Sequence, residues 1–295
     1  MRVKKFLLVL LAASIVIGST ACQDSSESQD TVKVEGLDEL GEIQVISREE
    51  GSGTRSTFAR LADFQAESED QADQTRTDAQ IAGNAEEVID MVSDDDAAIG
   101  YVSEGSIQEA EGMKQLKVEG IAADAGDKKY PLSRSFYLTY VGELNEVEED
   151  FLTYIHGAGQ EIVGENYETV AKSSTFLSNK AGGTITINGS TSVAPLMEEL
   201  AEAYMLINPN AKIEIEQSDS TEGLNQAMSG ECDFGMVSRD LKDYEAELLD
   251  YEIIANDNIA VIVNEQNPLE DISLDTLKKI YTGDINEWKE LNEAG

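Results

Sequence analysis

The sequence predicts an α/β fold with largely parallel sheets. Strand-like and helix-like stretches alternate along most of its 295 residues, the pattern of units whose ligands gather at the C-terminal ends of the strands. Two short stretches, Ser47-Arg48-Glu49-Glu50-Gly51-Ser52-Gly53-Thr54-Arg55 and Gly189-Ser190-Thr191-Ser192-Val193, each follow a β-like run and open a helix-like one. A length of 295 and a hydrophobic fraction of 41% suit one large or two medium lobes with a filled core.

Residues 1–22 read as an export signal: Arg2, Lys4 and Lys5, an apolar run from Phe6 to Ile17, then Gly18-Ser19-Thr20-Ala21-Cys22. The run is too short to span a bilayer comfortably. A cysteine directly after small residues resembles a lipoprotein box, although Ser19 stands where that pattern prefers Leu. The resemblance implies that Cys22 becomes the lipidated first residue of the mature chain. Residues 23–37 are rich in Ser, Asp, Glu and Gln and read as a disordered tether. With Cys22 lipidated, Cys232 is the one thiol left and an intramolecular disulfide is excluded. Cys232, just ahead of a strand-like run, reads as a small buried hydrophobe.

Glu42 to Ile46 alternates and is β-branched, and after Thr54 the residues Phe58, Leu61, Ala62 and Phe64 recur at helical spacing. Residues 67–80 are polar and loop-like, 85–92 a helix, 97–102 a buried strand, and Asp94-Asp95-Asp96 between them a solvated turn with no spaced cation loop. A strand is expected over 135–141. A single amphipathic helix is expected over 146–163, its apolar side marked by Val147, Phe151, Tyr154, Ile155 and Ile162. His156, the one histidine, lies on that helix without a second histidine, a paired cysteine or a compact carboxylate cluster, which argues against a metal centre or a His-based triad. Residues 171–183 read as a linker.

Thr184 to Asn188 is the next strand, followed by helical spacing at Leu196, Met197, Leu200, Ala203, Tyr204 and Ile207. Strands over 212–217, 234–237 and 253–264 alternate with helices over 222–228, from Ser238 toward Leu249, and over 274–281, with Trp288 beyond.

Both Gly/Ser/Thr stretches thus sit at strand-to-helix turns, where free N–H groups and the positive helix end favour an anion. Gly51 and Gly53 allow close main-chain approach, and Arg48 can fork onto an oxyanion. Each stretch alone is equally well explained by Ser and Thr as helix caps, but their pairing with Arg48 favours an anion cradle. The net charge of -38 argues against nucleic acid. It does not veto an anionic ligand, because dispersed surface charge fades over about 8 Å at physiological salt while first-shell donors act at contact.

The strings Ile187-Asn188-Gly189-Ser190-Thr191-Ser192-Val193-Ala194-Pro195, Asp233-Phe234-Gly235-Met236-Val237-Ser238-Arg239, Ile280-Tyr281-Thr282-Gly283 with Trp288, and Ser47 to Arg55 resemble the phosphate-binding proteins of bacterial high-affinity phosphate ABC transporters. The resemblance runs from about residue 40 to the end. It implies two α/β lobes of the periplasmic-binding-protein type (type II), joined by crossing strands and closing on inorganic phosphate, which is delivered to the transmembrane permease subunits. It further implies a solute-binding lipoprotein, a monomer with no catalytic residue, metal or cofactor, held by its lipid on the extracellular face of the cell membrane.

The order of segments departs from the family's. There the Gly-Ser-Thr-Ser strand comes first and the Arg-bearing string follows the Tyr-Thr-Gly and Trp segment; here that string stands at 47–55 and the Trp segment near the end. A circular permutation would produce this order, with the family's termini joined through 171–183. A truncated tandem would be the other origin, but every expected segment appears once and none twice. The implied lobes are 133–255, continuous and containing the linker, and 38–132 plus 256–295, split, with a hinge near Leu132–Phe136 and Ile254–Asn258.

Residue by residue, the resemblance implies phosphate contacts from Ser190, Thr191 and Ser192, from Ser220 and Thr221, and from Arg48, Ser52, Gly53 and Thr54. Some family members accept the proton of hydrogen phosphate on a buried Asp; Ser238 fills that slot here, with Asp240 and Asp219 as neighbouring candidates. Two other readings remain: the same fold binding sulfate, molybdate or tungstate or acting as a phosphate sensor, and a serine hydrolase using Ser52 or Ser192, for which His156 is the sole candidate base.

Overall fold

A computed structural model describes residues 33–66, 71–107, 110–123 and 129–293. The export signal, Cys22 and most of the tether lie outside these residues. Buried side chains gather into two main clusters. One draws on residues from Leu37 to Leu132 and from Ile259 to Trp288, the other on residues from Phe136 to Ala255.

The first cluster is built by α1 (Leu37–Leu40), β1 (Gln44–Arg48), α2 (Gly53–Leu61), β2 (Gln80–Ala82), α3 (Ala85–Ser93), β3 (Ala98–Ser103), β4 (Met113–Gln115) and β5 (Lys117–Val118). Every residue of β3 is buried, as befits a central strand covered on both faces, parallel to β1 and antiparallel to β10. Phe58 on α2 stacks on Tyr101 of β3 with ring centroids 4.1 Å apart. Phe64 and Tyr281 pack edge-on to Phe58. Such pairs contribute about 0.5–1.5 kcal/mol each beyond area burial, and they fix α2, with the turn that precedes it, onto the sheet.

The chain then crosses on β6 (Ser133–Tyr140) to the second cluster, made by α4 (Glu146–His156), α5 (Gln160–Asn166), β7 (Gly183–Ser190), α6 (Ala194–Ile207), β8 (Ala211–Ser218), α7 (Ser220–Ser229), β9 (Phe234–Val237) and α8 (Asp243–Leu248). It returns on β10 (Asp250–Asn264) and ends with β11 (Asp271–Ile272) and α9 (Leu274–Thr282). β10 serves both clusters: it pairs with β6 from Asp250 to Asn258, with β3 from Ile259 to Val263, and with β4 at its end.

The strand order is β2-β1-β3-β10-β6-β9-β7-β8. Parallel pairing holds on both flanks, β2-β1-β3 and β9-β7-β8. The centre is antiparallel, because β6 and β10 carry the chain between lobes in opposite directions. The architecture is therefore a two-lobed α/β fold, and "largely parallel" describes each lobe better than their junction.

Two local expectations need correction. The helix expected over 146–163 is broken into α4 and α5 at Gly157-Ala158-Gly159, where the Gly157 and Gly159 N–H groups both donate to the Tyr154 carbonyl. Two glycines in one turn weaken the helix enough for the chain to bend. The helix expected from Ser238 begins only at Asp243, because Arg239 is drawn inward onto Glu245 at 2.7 and 2.8 Å.

The segment near Val34 to Ile43 packs on the last described residues. Glu42 and Glu287 form an antiparallel bridge, Ile43 N–H donates to the Asn286 carbonyl at 2.8 Å, and Trp288 N–H donates to the Gly41 carbonyl at 3.0 Å. Val34 exchanges two hydrogen bonds with the Asn292 side chain. Among the described residues no helix is long and apolar enough to cross a membrane. Cys232 is buried, its thiol donates to the Phe234 carbonyl, and burial pushes its pKa up to about 11.

Candidate functional site

Four strand ends converge at the junction of the lobes. From the first lobe comes the turn between β1 and α2. Gly51 there has φ +92°, a conformation that favours glycine, and Ser52 caps α2 by accepting from the Arg55 N–H. From the second lobe come the turns after β7, β8 and β9, which carry Ser190 to Ser192, Ser220 and Ser238. Parallel strands on each flank bring their C-terminal ends to this place.

Arg48 ends β1 and is 1% exposed. Its Nε and Nη2 fork onto Glu49 at 2.9 Å each. The same nitrogens reach the carbonyls of Ala82 and Gly83 at 3.2 and 3.1 Å, and Nη2 crosses the junction to Thr191 Oγ1 at 3.0 Å. Nη1 is buried and has no hydrogen-bond partner among the described residues. An unmet guanidinium N–H at the meeting of the lobes is costly unless an acceptor fills it.

Hydroxyls from both lobes meet at the same junction. Thr54 Oγ1 and Ser192 Oγ lie 2.8 Å apart, Ser190 Oγ donates to Ser238 Oγ at 2.9 Å, and Ser220 Oγ stands 3.3 Å from Ser238 Oγ. The Ser192 N–H donates to Ser190 Oγ and the Ser238 N–H to Ser220 Oγ. A Cβ on Gly53 would collide with Ser220 Oγ and Ser238 Oγ, so this glycine lets the two lobes touch. Thr57 completes the contact by donating to the Ser238 carbonyl across the junction.

Sequence reasoning missed Arg134. It lies on β6 in the crossing, 5% exposed, and its Nη1 donates to Thr54 Oγ1 at 2.7 Å and to the Ser238 carbonyl at 3.2 Å. Its Nε donates to Asp257 Oδ2 at 2.9 Å, and Ser103 Oγ donates to the other carboxylate oxygen. Burial raises the Asp257 pKa, with Arg134 pulling the other way. Burial is also the main influence lowering the Arg134 pKa, and the charge of nearby Arg48 adds to it. The positive charge that Arg48 and Arg134 bring to this junction favours a nearby anion. The available signal was a lone Arg and a lone Asp inside two otherwise strand-like runs.

The structure thus brings together Arg48, Gly53, Thr54, Ser190, Thr191, Ser192, Ser220 and Ser238. Thr221 and Ser52 stand at the edge: the Thr221 hydroxyl donates to the Gly51 carbonyl at 3.2 Å, and the Ser52 hydroxyl is turned to its own helix. Neither candidate proton acceptor faces the cluster. Asp240 is 58% exposed and pairs with Arg60 at 3.0 Å, and Asp219 caps α7 through the Thr221 and Glu222 N–H groups. His156 lies 3.5 Å from Glu252 and lines a separate cavity with Tyr251 and Asn256. The arrangement offers many donors and adaptable hydroxyls, suited to gripping an oxyanion by charge-assisted hydrogen bonds. Cavities of about 810 and 820 Å³ open on either side of it, lined respectively by Gly51 and Ser52 and by Thr191.

The sequence pattern of the PBP superfamily domain matches residues 28–158 and 174–295. The phosphate-binding protein PstS 2 of Streptococcus pneumoniae serotype 4 is 34% identical over 299 residues, covering 99% of this chain and all of the relative. Its counterpart in Streptococcus agalactiae serotype V is 35% identical over 302 residues, covering 98% and 99%. The phosphate-binding protein PstS of Bacillus subtilis is 38% identical over 117 residues, 38% of each chain. A crystal structure of a phosphate-binding protein of a phosphate ABC transporter from S. pneumoniae TIGR4 superposes with a TM-score of 0.71 at 35% identity, covering 85% of this chain and all of that one. Full-length identity above 30% on a shared two-lobed fold means that this chain belongs to the PBP superfamily and, within it, to the family of phosphate-binding proteins that includes the streptococcal PstS 2 proteins.

Proposed function

We propose that the chain is the extracellular receptor of a phosphate ABC transporter: it closes on inorganic phosphate between its lobes and hands it to the permease, with no chemistry performed on the ligand. The observation that carries the reading is the buried Nη1 of Arg48, without a hydrogen-bond partner among the described residues, on a guanidinium whose Nη2 already reaches Thr191 of the other lobe. The names of its full-length relatives point the same way. Arg48, Ser52, Gly53 and Thr54 act from one lobe and Ser190, Thr191, Ser192, Ser220, Thr221 and Ser238 from the other, with Arg134 beneath them. A micromolar complex needs about 8 kcal/mol, within reach of several charge-assisted hydrogen bonds. Lipidation at Cys22 would keep this monomer at the outer face of the membrane.

The lobes of the proposal are 38–132 plus 256–295 and 133–255, supported by the division of buried side chains. The circular permutation is part of it too. Its support is the pairing of residues 286–288 with 41–43, which sets the Trp288 segment directly before the Arg48 string in space. The streptococcal relatives align along their whole length, whereas the B. subtilis match spans only 38% of each chain. A variant with its ends joined near 293 and 40 and reopened within 171–183 should fold and bind phosphate. Failure of that variant to fold would count against the permutation.

Calorimetry of the lipid-free protein with phosphate at two pH values, and with sulfate, tests the function. Saturable heat with phosphate is expected. Because Ser238 stands where a carboxylate acceptor would, and a hydroxyl can donate to sulfate as well as accept from hydrogen phosphate, preference over sulfate should fall short of the roughly 10⁴-fold that a fixed polar mismatch can give. Equal affinity for sulfate would replace the phosphate reading with that of a general oxyanion receptor.

A further inference from the structure

The two cavities flanking the site are nearly equal in size and differ in charge, one balanced and one acidic. The one beside Gly51 and Ser52 is lined by Arg55, Arg60, Arg239 and Lys242, balanced by the carboxylates of Glu50, Asp73, Asp219 and Glu222. The one beside Thr191 is lined by Glu86, Asp90, Glu111 and Glu199, with no Lys or Arg among its described lining residues. In a chain with 21 basic residues against 59 acidic ones, four cations around one opening is a concentration that the overall composition does not provide. We infer that the Arg60 and Lys242 opening is the route by which phosphate enters and leaves the clamp, and that the acidic opening turns anions away.

The four cations divide by commitment. Arg55 is held by Asp73 at 2.7 and 3.0 Å, and Arg239 by Glu245 at 2.7 and 2.8 Å, so both serve the framework. Among the described residues Arg60 pairs with the exposed Asp240 at 3.0 Å, the kind of surface pair that holds weakly. Lys242 rests 5.9 Å from the Tyr244 ring centroid. These two side chains are the ones free to meet an arriving dianion. Their reach matches the range over which charge is felt, a Debye length of about 8 Å at physiological salt. Steering of this kind acts on the association rate and fades with salt.

The inference rests on the phosphate reading, and one set of measurements separates the two. Association of inorganic phosphate with the protein is followed by stopped-flow fluorescence, with rates checked by rapid filtration of radiolabelled phosphate, at several salt concentrations. Arg60→Gln with Lys242→Gln should slow association about fivefold or more at low salt, an effect fading above about 0.3 M salt, with dissociation within twofold of the parent. Glu86→Gln with Glu199→Gln, an equal change of charge at the other opening, should alter association less than twofold. Equal and opposite effects of the two pairs would show that only net charge matters and overturn the assigned route. Acceleration confined to the Glu86 and Glu199 pair would assign the route to the acidic opening. Absence of saturable phosphate binding by the unmodified protein would overturn the phosphate reading itself.

Discussion

Arg134 and Asp257 are cross-strand partners on β6 and β10, the two antiparallel strands that carry the chain between lobes, and their side chains, each 1% exposed, meet at 2.8 and 2.9 Å. The ion pair therefore sits on the joint of the clamp and, through Thr54, touches the site. Breaking such a buried pair from one side leaves an uncompensated charge. Asp257→Ala should cost about 3–5 kcal/mol of stability, read as a lower urea midpoint at unchanged slope. A loss below about 1 kcal/mol would mean that solvent reaches Arg134.

Arg48 has both framework and ligand duties, since it holds Glu49, Ala82 and Gly83 as well as Thr191. Arg48→Lys keeps the charge and loses the planar fork. Phosphate affinity should fall about 10- to 100-fold by calorimetry, and the melting temperature should fall as well because the Ala82 and Gly83 carbonyls lose their donors. Parent-like binding would show that the cradle is misassigned.

Gly53 opens α2, where alanine is tolerated by the backbone but its Cβ would strike Ser220 and Ser238 on the opposite lobe. Gly53→Ala should leave stability unchanged or higher by up to about 1 kcal/mol. Affinity should nevertheless fall at least about tenfold, because the closed form becomes scarcer. Small-angle scattering with phosphate present would then report a more open particle than the parent.

Acid should weaken the protein through two sequestered carboxylates, the half-buried Asp73 and the buried Glu245. Burial would raise the Asp73 pKa, but hydrogen bonds from Arg55 and Thr75 hold it below its ordinary 3.8. Glu245, likewise opposed by burial, is held below 4.5 by Arg239 and the Lys242 N–H. Groups depressed in the folded state contribute stability above their unfolded pKa values and lose it as pH falls through the folded ones. Asp73→Asn and Glu245→Gln should each flatten the decline in melting temperature between about pH 5 and 3. An unchanged slope in both variants would place the acid-sensitive groups elsewhere.

Much of this molecule could be read before its structure. The apolar and β-branched runs of β1, β3, β7 and β9 mark strands of a covered sheet, and the Gly, Ser and Thr turns announce their helices because a cap is a local interaction. What escaped was set by contacts distant in sequence. Arg134 gains its role only when β10 brings Asp257 beside it and Thr54 above it, across 123 and 80 positions respectively. The late start of α8 follows from the pull of Glu245 on Arg239, and the gap between α4 and α5 from glycines that a periodic apolar side outvoted.

The hydrogen bonds between Val34 and Asn292 fasten the first described residues to the lobe that contains Arg48. The chain arriving from Cys22 joins the lobe that contains Arg48, so with Cys22 as the proposed anchor that lobe is moored and the Ser190 lobe swings. Ten residues lie between Cys22 and Lys33, a leash of at most about 40 Å when fully drawn out. The swinging lobe would then be the arm that travels, while the arginine that grips the cargo stays near the bilayer.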